Sequence, residues 1–559
     1  MSQTLDPTPI PFATPAEVRA ALLARREIAL LDVREEDPFA QAHPLWAANL
    51  PLSKLELEAY GRIPRRDTEI VVYDDGEGRA ERAARGLVQL GYTSVRVLEG
   101  GLAGWRDAGG ELFRDVNVPS KSFGELVEAE RHTPSLAAEE VKALLDAKAD
   151  VVVLDARRFD EYQTMSIPTA TSVPGAELVL RARALAPDPA TRVIVNCAGR
   201  TRSIIGTQSL VNAGLPNPVA ALRNGTIGWL LAGQQLDHGQ SRRYPAEVPA
   251  GQQAAARAAA ADVARRAGVR RAGHGQLAGF VAEAGRTTYR LDVRTPEEYA
   301  AGHREGFRSA PGGQLVQETD VHVPVRGARI VLTDEDEHAS GGGVRAAMTA
   351  SWLAQMGWEV WLLDAPAVSP AERVTGPDVA PLPPLPTPRG VSPATLADWL
   401  ATGDGAAGGG TTVIDVTTSA NHVRRHVPGA WWAIRADLRE ALGRIPPARR
   451  YVLTCGSSLL AKFAVADLEH ALQQAGRDAE VWLLEGGNNA WADAGLPTES
   501  GDAHLASPRI DRYRRPYEGT DAPREAMQGY LDWEFGLVEQ LGRDGTHHFR
   551  VLPAEGALA

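Results

Sequence analysis

The residues of this chain best suited to covalent chemistry are its two cysteines. In VIVNCAGRTRSIIG, from Val193 to Gly206, a β-branched apolar run stops at Cys197; two arginines, a glycine and two hydroxyl residues follow before apolar residues resume. The thiolate, not the thiol, is the reactive form of cysteine. Backbone N–H groups in a loop that opens a helix, together with the helix N-terminus, make a concavity that favours an anion. The amides from Ala198 to Ser203 are the expected cradle, and Arg200 and Arg202 add full positive charge beside it. Such a loop is expected to lower the Cys197 pKa and to attract a small dianion. Gly199 lets the backbone turn with its amides inward, and Thr201 and Ser203 can donate hydrogen bonds to anion oxygens.

The elements that must hold this loop recur along the chain. A strand-like stretch ending in aspartate appears as ALLDVRE at Asp32, VVLDARR at Asp155, YRLDVRT at Asp292 and TVIDVTT at Asp415. A second strand follows each: EIVVYD, RVIVNC, ARIVLT and RYVLTC. Next comes an Ala/Leu-rich amphipathic helix with a glycine near its end. Asp32 to Asp155 is 123 positions, as is Asp292 to Asp415. That period is too long for a solenoid, so each repeat is expected to be a domain. Apolar strands alternating with helices predict an α/β class, four tandem small doubly wound parallel-sheet domains. The expected spans are 12–115, 134–238, 273–366 and 391–500, with a C-terminal tail, 501–559, that packs on the domains. An Ala/Arg/Gln stretch at about 240–272 reads as a linker helix, and the proline-dense stretch before the fourth unit as an extended spacer.

Aligning the units on the helix-ending glycine places Cys197 17 positions before Gly214, and Asp74 17 before Gly91. In the third unit Asp334 follows IVLT, with a longer acidic loop DEDEHASGGG, and in the fourth YVLTC puts Cys455 there. An aspartate offers no thiolate nucleophile, so the first and third units are expected to be inactive.

The strand ending D-V/A-R, the later strand ending in cysteine, the short loop opening a helix and the closing E/N-G-G/T-x-x-G/A-W resemble the rhodanese family of sulfurtransferases. The resemblance covers nearly the whole chain to about residue 500, as four tandem rhodanese-like domains. It implies a thiosulfate sulfurtransferase working by ping-pong double displacement, with Cys197 as nucleophile and persulfide carrier and 3-mercaptopyruvate as a second donor. Arg202 stands five positions after Cys197, which fits the family's C-x4-R sulfur-transfer loop better than the C-x5-R loop of related phosphatases. Cys455 lies in CGSSLLA, similar to the CGSGVT loop of mercaptopyruvate-type members, with Ser458 replacing a glycine and no arginine. It reads either as a second nucleophile or as a half-buried cysteine kept from an ancestral duplication. Asp155 and Arg157 are expected to support the loop, Arg157 as a structural ion pair or facing substrate; the pattern Asp292, Arg294, Glu298 repeats that of Asp155, Arg157, Glu161. Asn224 and Gly225 read as a turn beside the loop, and Trp105, Trp229 and Trp491 as core.

A net charge of −12 argues against a general nucleic-acid surface. No apolar run reaches membrane-spanning length, the N-terminus lacks the order of a secretory signal, and two cysteines suit a reducing compartment. A cytoplasmic enzyme without cofactor is therefore expected. His422 and His426 have no evident third ligand, so no metal is expected. The expected partners are a small anionic sulfur donor and a thiol, cyanide or protein acceptor, with no nucleic acid or membrane. The alternative is a sulfur-relay or protein-binding module that receives persulfide from, or docks, a partner protein.

Overall fold

The computed structural model describes residues 9–335, 343–402, 410–519 and 521–554. The acidic loop of the third unit falls largely on 336–342, outside the described residues. Four parallel five-stranded sheets follow one another, and in each the strands lie in the order first, fifth, fourth, second, third. Among the described residues no helix is long and apolar enough to cross a membrane.

The second strands are Ala29–Asp32, Val151–Asp155, Thr288–Asp292 and Thr411–Asp415; the fourth are Ile70–Tyr73, Arg192–Asn196, Arg329–Thr333 and Arg450–Thr454. Their near-continuous apolar sequence follows from burial on both faces of a parallel sheet. Register is the same in all four: Asp32 pairs with Tyr73, Asp155 with Asn196, Asp292 with Thr333 and Asp415 with Thr454. The next residue, Asp74, Cys197, Asp334 or Cys455, therefore leaves the sheet beside a strand-end aspartate. That carboxyl edge is where open α/β sheets hold ligands.

One apolar core joins the first three sheets and the tail, running through Leu30, Val195, Ile330 and Leu537. The Ala/Arg/Gln stretch is a helix, Ala250–Arg266, packed on helix Val344–Gln355. The fourth sheet has separate cores, one around Ile414, Leu453 and Leu468. It meets the first through ion pairs, Arg435 Nη1 to Glu56 Oε2 at 2.6 Å and Arg79 Nη2 to Asp437 Oδ1 at 2.8 Å.

In three units the fifth strand runs into a short closing helix, Gly101–Asp107, Gly225–Leu231 or Gly487–Asp493. Each is anchored by a buried tryptophan whose Nε1 donates to a backbone carbonyl: Trp105 to Glu111, Trp229 to Gln235 and Trp491 to Pro497. In the third unit strand Glu359–Leu363 is followed by no such helix; a 3-10 turn, Pro370–Glu372, comes next.

The strand-end aspartates hold the turns that follow them. Arg34 pairs with Asp32 at 2.6 Å, Arg157 with Asp155 at 2.7 Å and Arg294 with Asp292 at 2.6 Å. Each guanidinium also donates to a carbonyl eight residues on, of Ala42, Met165 or Gly302. The fourth unit lacks the arginine; His422 Nδ1 lies 3.0 Å from Asp415 Oδ2, and Asn488 Nδ2 donates to the same oxygen at 2.9 Å. Because the Asp–Arg pair recurs in units without cysteine, it acts as a brace. Side chains of the Arg157–Asp155 pair are 1% and 0% exposed, so removing one partner strands a buried charge. Arg157→Met is expected to cost about 3–5 kcal/mol, seen as a lower denaturation midpoint. Lys142→Met, which breaks an exposed pair with Asp146, is expected to cost at most about 1 kcal/mol.

Candidate active site

Each fourth strand ends in a loop whose amides converge on the next side chain. In the first unit Asp74 fills that position: Oδ2 accepts from the amides of Arg79 at 2.6 Å and Ala80 at 3.0 Å, and Oδ1 from Gly76 at 3.1 Å. In the third, Asp334 accepts from the amides of Gly343 at 2.6 Å and Ala346 at 3.1 Å. The loop is thus an anion cradle, and in these two units a carboxylate of the chain occupies it.

In the fourth unit the cradle faces sulfur. Burial pushes the Cys455 thiol above the ordinary cysteine range, while the amides of Ala461, Leu460 and Ser457 draw it down and Asp415 pushes it up. Ser458 adopts φ +70°, the conformation a glycine would supply, and Ser458 Oγ donates to the Leu484 carbonyl at 2.8 Å. That bond explains how serine stands where the resembling loop has glycine. Ser457 is exposed, Gly456, Leu459 and Leu460 are half-exposed, and a Cβ at Gly456 would meet open space.

The Cys197 loop is enclosed. Residues 197–201 and 203 are all buried and Cys197 is 1% exposed. Burial pushes its thiol up; Arg202 and the Ser203 amide and hydroxyl draw it down, and Glu534 pushes it up again. The expected lowering of this pKa is therefore reversed, because removal from water outweighs the charges nearby. Those charges are also spoken for. Arg200 Nε donates to Glu125 Oε1 at 2.7 Å, Nη2 to Glu125 Oε2 at 2.8 Å and to Glu128, and Nη1 to Asn224 Oδ1 at 3.1 Å. Arg202 Nη1 donates to Glu161 Oε2 at 2.6 Å; burial opposes ionisation of Glu161, yet this pair holds its carboxyl down at about 2. The equivalent Arg345–Glu298 pair in the cysteine-free third unit, 2.7 Å, gives Arg202 a bracing role. The Cys197 thiol donates to Ser203 Oγ at 3.4 Å, and Ser203 in turn to the Arg200 carbonyl at 2.8 Å. Ala198 packs against Ile227 and Tyr530, and among the described residues Thr201 Oγ1 is buried without a partner.

The closing helices lock both cysteine loops. Asn224 takes φ +62° and Gly225 φ +55°, and the amide of Thr226 donates to the Cys197 carbonyl at 3.0 Å. In the fourth unit Gly487 has φ +64°, and Asn488 N donates to the Cys455 carbonyl at 2.8 Å.

Two groups covering Cys197 were not anticipated as neighbours. Helix Val118–Arg131 brings Glu125 and Glu128 to Arg200, and Gly124 lies close against Thr201. The tail helix Arg524–Phe535 lays Met527, Tyr530, Leu531 and Glu534 on the loop. The spacing of these four marks one helix face, and an acid on an otherwise apolar face was the signal in the sequence.

The profile of the rhodanese-like domain family matches residues 14–108, 137–232 and 392–494. The chain belongs to that family. The third sheet, with the same strand order but neither cysteine nor closing helix, lies outside the matched spans. A crystal structure of a thiosulfate sulfurtransferase from Pseudomonas aeruginosa is 67% identical, superposes with a TM-score of 0.92, and covers 97% of this chain and 100% of its own. Over 85 residues, 15% of this chain, the uncharacterized protein YibN of Escherichia coli strain K12 is 28% identical; the chain spans 59% of YibN's length. Thiosulfate sulfurtransferase GlpE of Coxiella burnetii strain RSA 493 is also 28% identical over 85 residues, 78% of its length.

Two outcomes test this site. A Cβ at Gly487 would lie 2.2 Å from the Cys455 carbonyl oxygen. Gly487→Ala is expected to cost about 2 kcal/mol or more and to speed amide exchange through 455–461, whereas Gly456→Ala leaves exchange there unchanged. Burial raises the Glu534 carboxyl from an ordinary 4.5 to about 8, with Glu125 pushing it the same way and Lys121, Tyr530 and Arg200 drawing it down; Tyr517 and Asp115 face Tyr530. Docking of the tail helix is thus strongest below pH 4.5 and weakens as pH rises to about 8. Amide exchange in 524–535, corrected for intrinsic pH dependence, is expected to quicken over that window, and less so in Glu534→Gln.

Proposed function

We propose that this chain is a sulfurtransferase that moves a sulfane sulfur from thiosulfate, or a related donor such as 3-mercaptopyruvate, through a cysteine persulfide to a thiophilic acceptor. The observation that carries the reading is the shared cradle, which holds carboxylates at Asp74 and Asp334 and thiols at Cys197 and Cys455. A site that accepts a buried carboxylate suits a thiolate and a persulfide anion equally. The likeness to the Pseudomonas aeruginosa enzyme supports the same reaction.

In this mechanism the cysteine thiolate attacks the outer sulfur of thiosulfate. A sulfur–sulfur bond forms to the cysteine, the bond inside the donor breaks, and sulfite leaves with the electron pair. The persulfide stays anionic against the loop amides. An acceptor such as cyanide or a thiolate then attacks the terminal sulfur and regenerates the cysteine thiolate, which gives ping-pong kinetics.

The two cysteines differ in access. Cys455 is 5% exposed, but its loop reaches solvent at Ser457 and partly at Gly456, Leu459 and Leu460. With its three amides this suits direct loading by a small donor, and Cys197 is the enclosed second carrier. This ordering departs from the expectation that Cys197 reacts first, because both of its arginines are engaged by glutamates and its loop is covered. Asp155 and Arg157 support the Cys197 loop as a brace.

Turnover of thiosulfate and cyanide, repeated with 3-mercaptopyruvate, tests this. Cys455→Ser is expected to lower turnover by about three orders of magnitude or more, and Cys197→Ser to retain most of it. The opposite ranking returns donor cleavage to Cys197. Absence of turnover by the unaltered chain with either donor favours a relay that takes persulfide from a partner protein.

A further inference from the structure

The tail helix does more at the Cys197 loop than fill space. From where a Cβ of Gly199 would stand, Tyr530 Cε1 is 3.1 Å away and Glu534 Oε2 3.4 Å. Tyr530 donates its hydroxyl to Glu534 Oε1 at 2.8 Å, and among the described residues Glu534 Oε2 is buried with no hydrogen-bond partner. The Phe535 ring lies 4.3 Å from the Arg200 guanidinium carbon, closing its outer side. Lys121, the remaining nearby cation, is held by Asp115 at 2.7 Å and ringed by Tyr517, Tyr530 and Trp533. Among the described residues, Arg200, Arg202 and Lys121 beside this loop are each paired with a carboxylate, of Glu125, Glu161 and Asp115. Arg524 Nη2 ties the helix to the domain at the Leu231 carbonyl, 2.8 Å away.

We propose that Tyr530 and Glu534 are specificity-determining residues of the Cys197 site. They occupy the space above Gly199 that the anionic end of a small donor would take, so thiosulfate loads Cys455 directly and reaches Cys197 only when this helix withdraws. The proposal rests on the reading that both cysteines carry sulfur, and it adds which of them a small anion can reach. A neutral carboxyl at Glu534, favoured by its burial, lets the wall close over the loop without placing a second negative charge beside Glu125.

The test uses the full chain. Iodoacetamide labelling at each cysteine is followed by peptide mass spectrometry, and the gain of one sulfur is then scored after brief exposure to thiosulfate. Cys455 is expected to label and load on the order of tenfold faster than Cys197 or more. Tyr530→Ala, which empties the space over Gly199, is expected to raise Cys197 labelling and loading by a similar factor. Arg524→Ala, an exposed change that cuts the tether without touching the loop, is expected to raise both by a smaller factor. Glu534→Gln, close in shape and uncharged, leaves Cys197 protected. Equal labelling of the two cysteines in the unaltered chain overturns the proposal. So does continued protection of Cys197 in both Tyr530→Ala and Arg524→Ala while melting stays native. Labelling needs no sulfur transfer: if neither cysteine gains sulfur from any donor, the sulfurtransferase reading fails and the labelling ratios still judge the wall.

Discussion

Amides that converge at the end of a parallel strand must meet negative charge or water, and in this chain they are largely closed off from water. That requirement organises each unit. The strand-end aspartate and its arginine or histidine partner hold the turn after the second strand, and a closing helix pins the loop carbonyl where there is one. The loop amides are then left pointing at a single side chain. Carboxylate answers the requirement outright at Asp74 and Asp334. A thiol answers it only when ionised, and burial works against that at both Cys197 and Cys455. Whether a cradle does chemistry depends on one residue and on what lies above it.

The repeat was legible because its signals are local. Apolar strand runs, terminal aspartates and the position of cysteine or aspartate four times over gave the sheets, and the structure places those residues in one register. The brace was legible from the spacing of Asp155 and Arg157, although Glu161 turned out to pair with Arg202. What the sequence concealed was long-range. The positive charge counted for Cys197 is cancelled by Glu125 and Glu128, more than seventy positions earlier, and by Glu161. Its access is decided by a helix more than three hundred positions later. Charge read from a loop alone ignores the burial that only the fold supplies, and it is burial that raises the Cys197 pKa.

The two cysteine units also illustrate how burial and charge trade against each other. Cys455 is itself buried, in a loop that reaches the surface at Ser457, and relies on dipoles from three amides. Cys197 has two guanidiniums within reach of its loop, but buried cations must themselves be paired, and pairing removes most of the field they would have cast on the sulfur. At Cys197 the pull of Arg202 on the thiol is outweighed by burial.

The carboxylate-filled cradles have a chemical consequence for the whole assembly. Peroxide or an alkylating metabolite converts a thiol into a group of different size and charge, but leaves a carboxylate untouched. The first and third units share a continuous interior with the second, so most of the shared packing is built around loops that such damage cannot reach. The oxidisable sulfur of the fourth unit sits in a body with its own interior, which meets the first unit through ion pairs and through Leu52 packed on Trp432, Ile434 and Ala436.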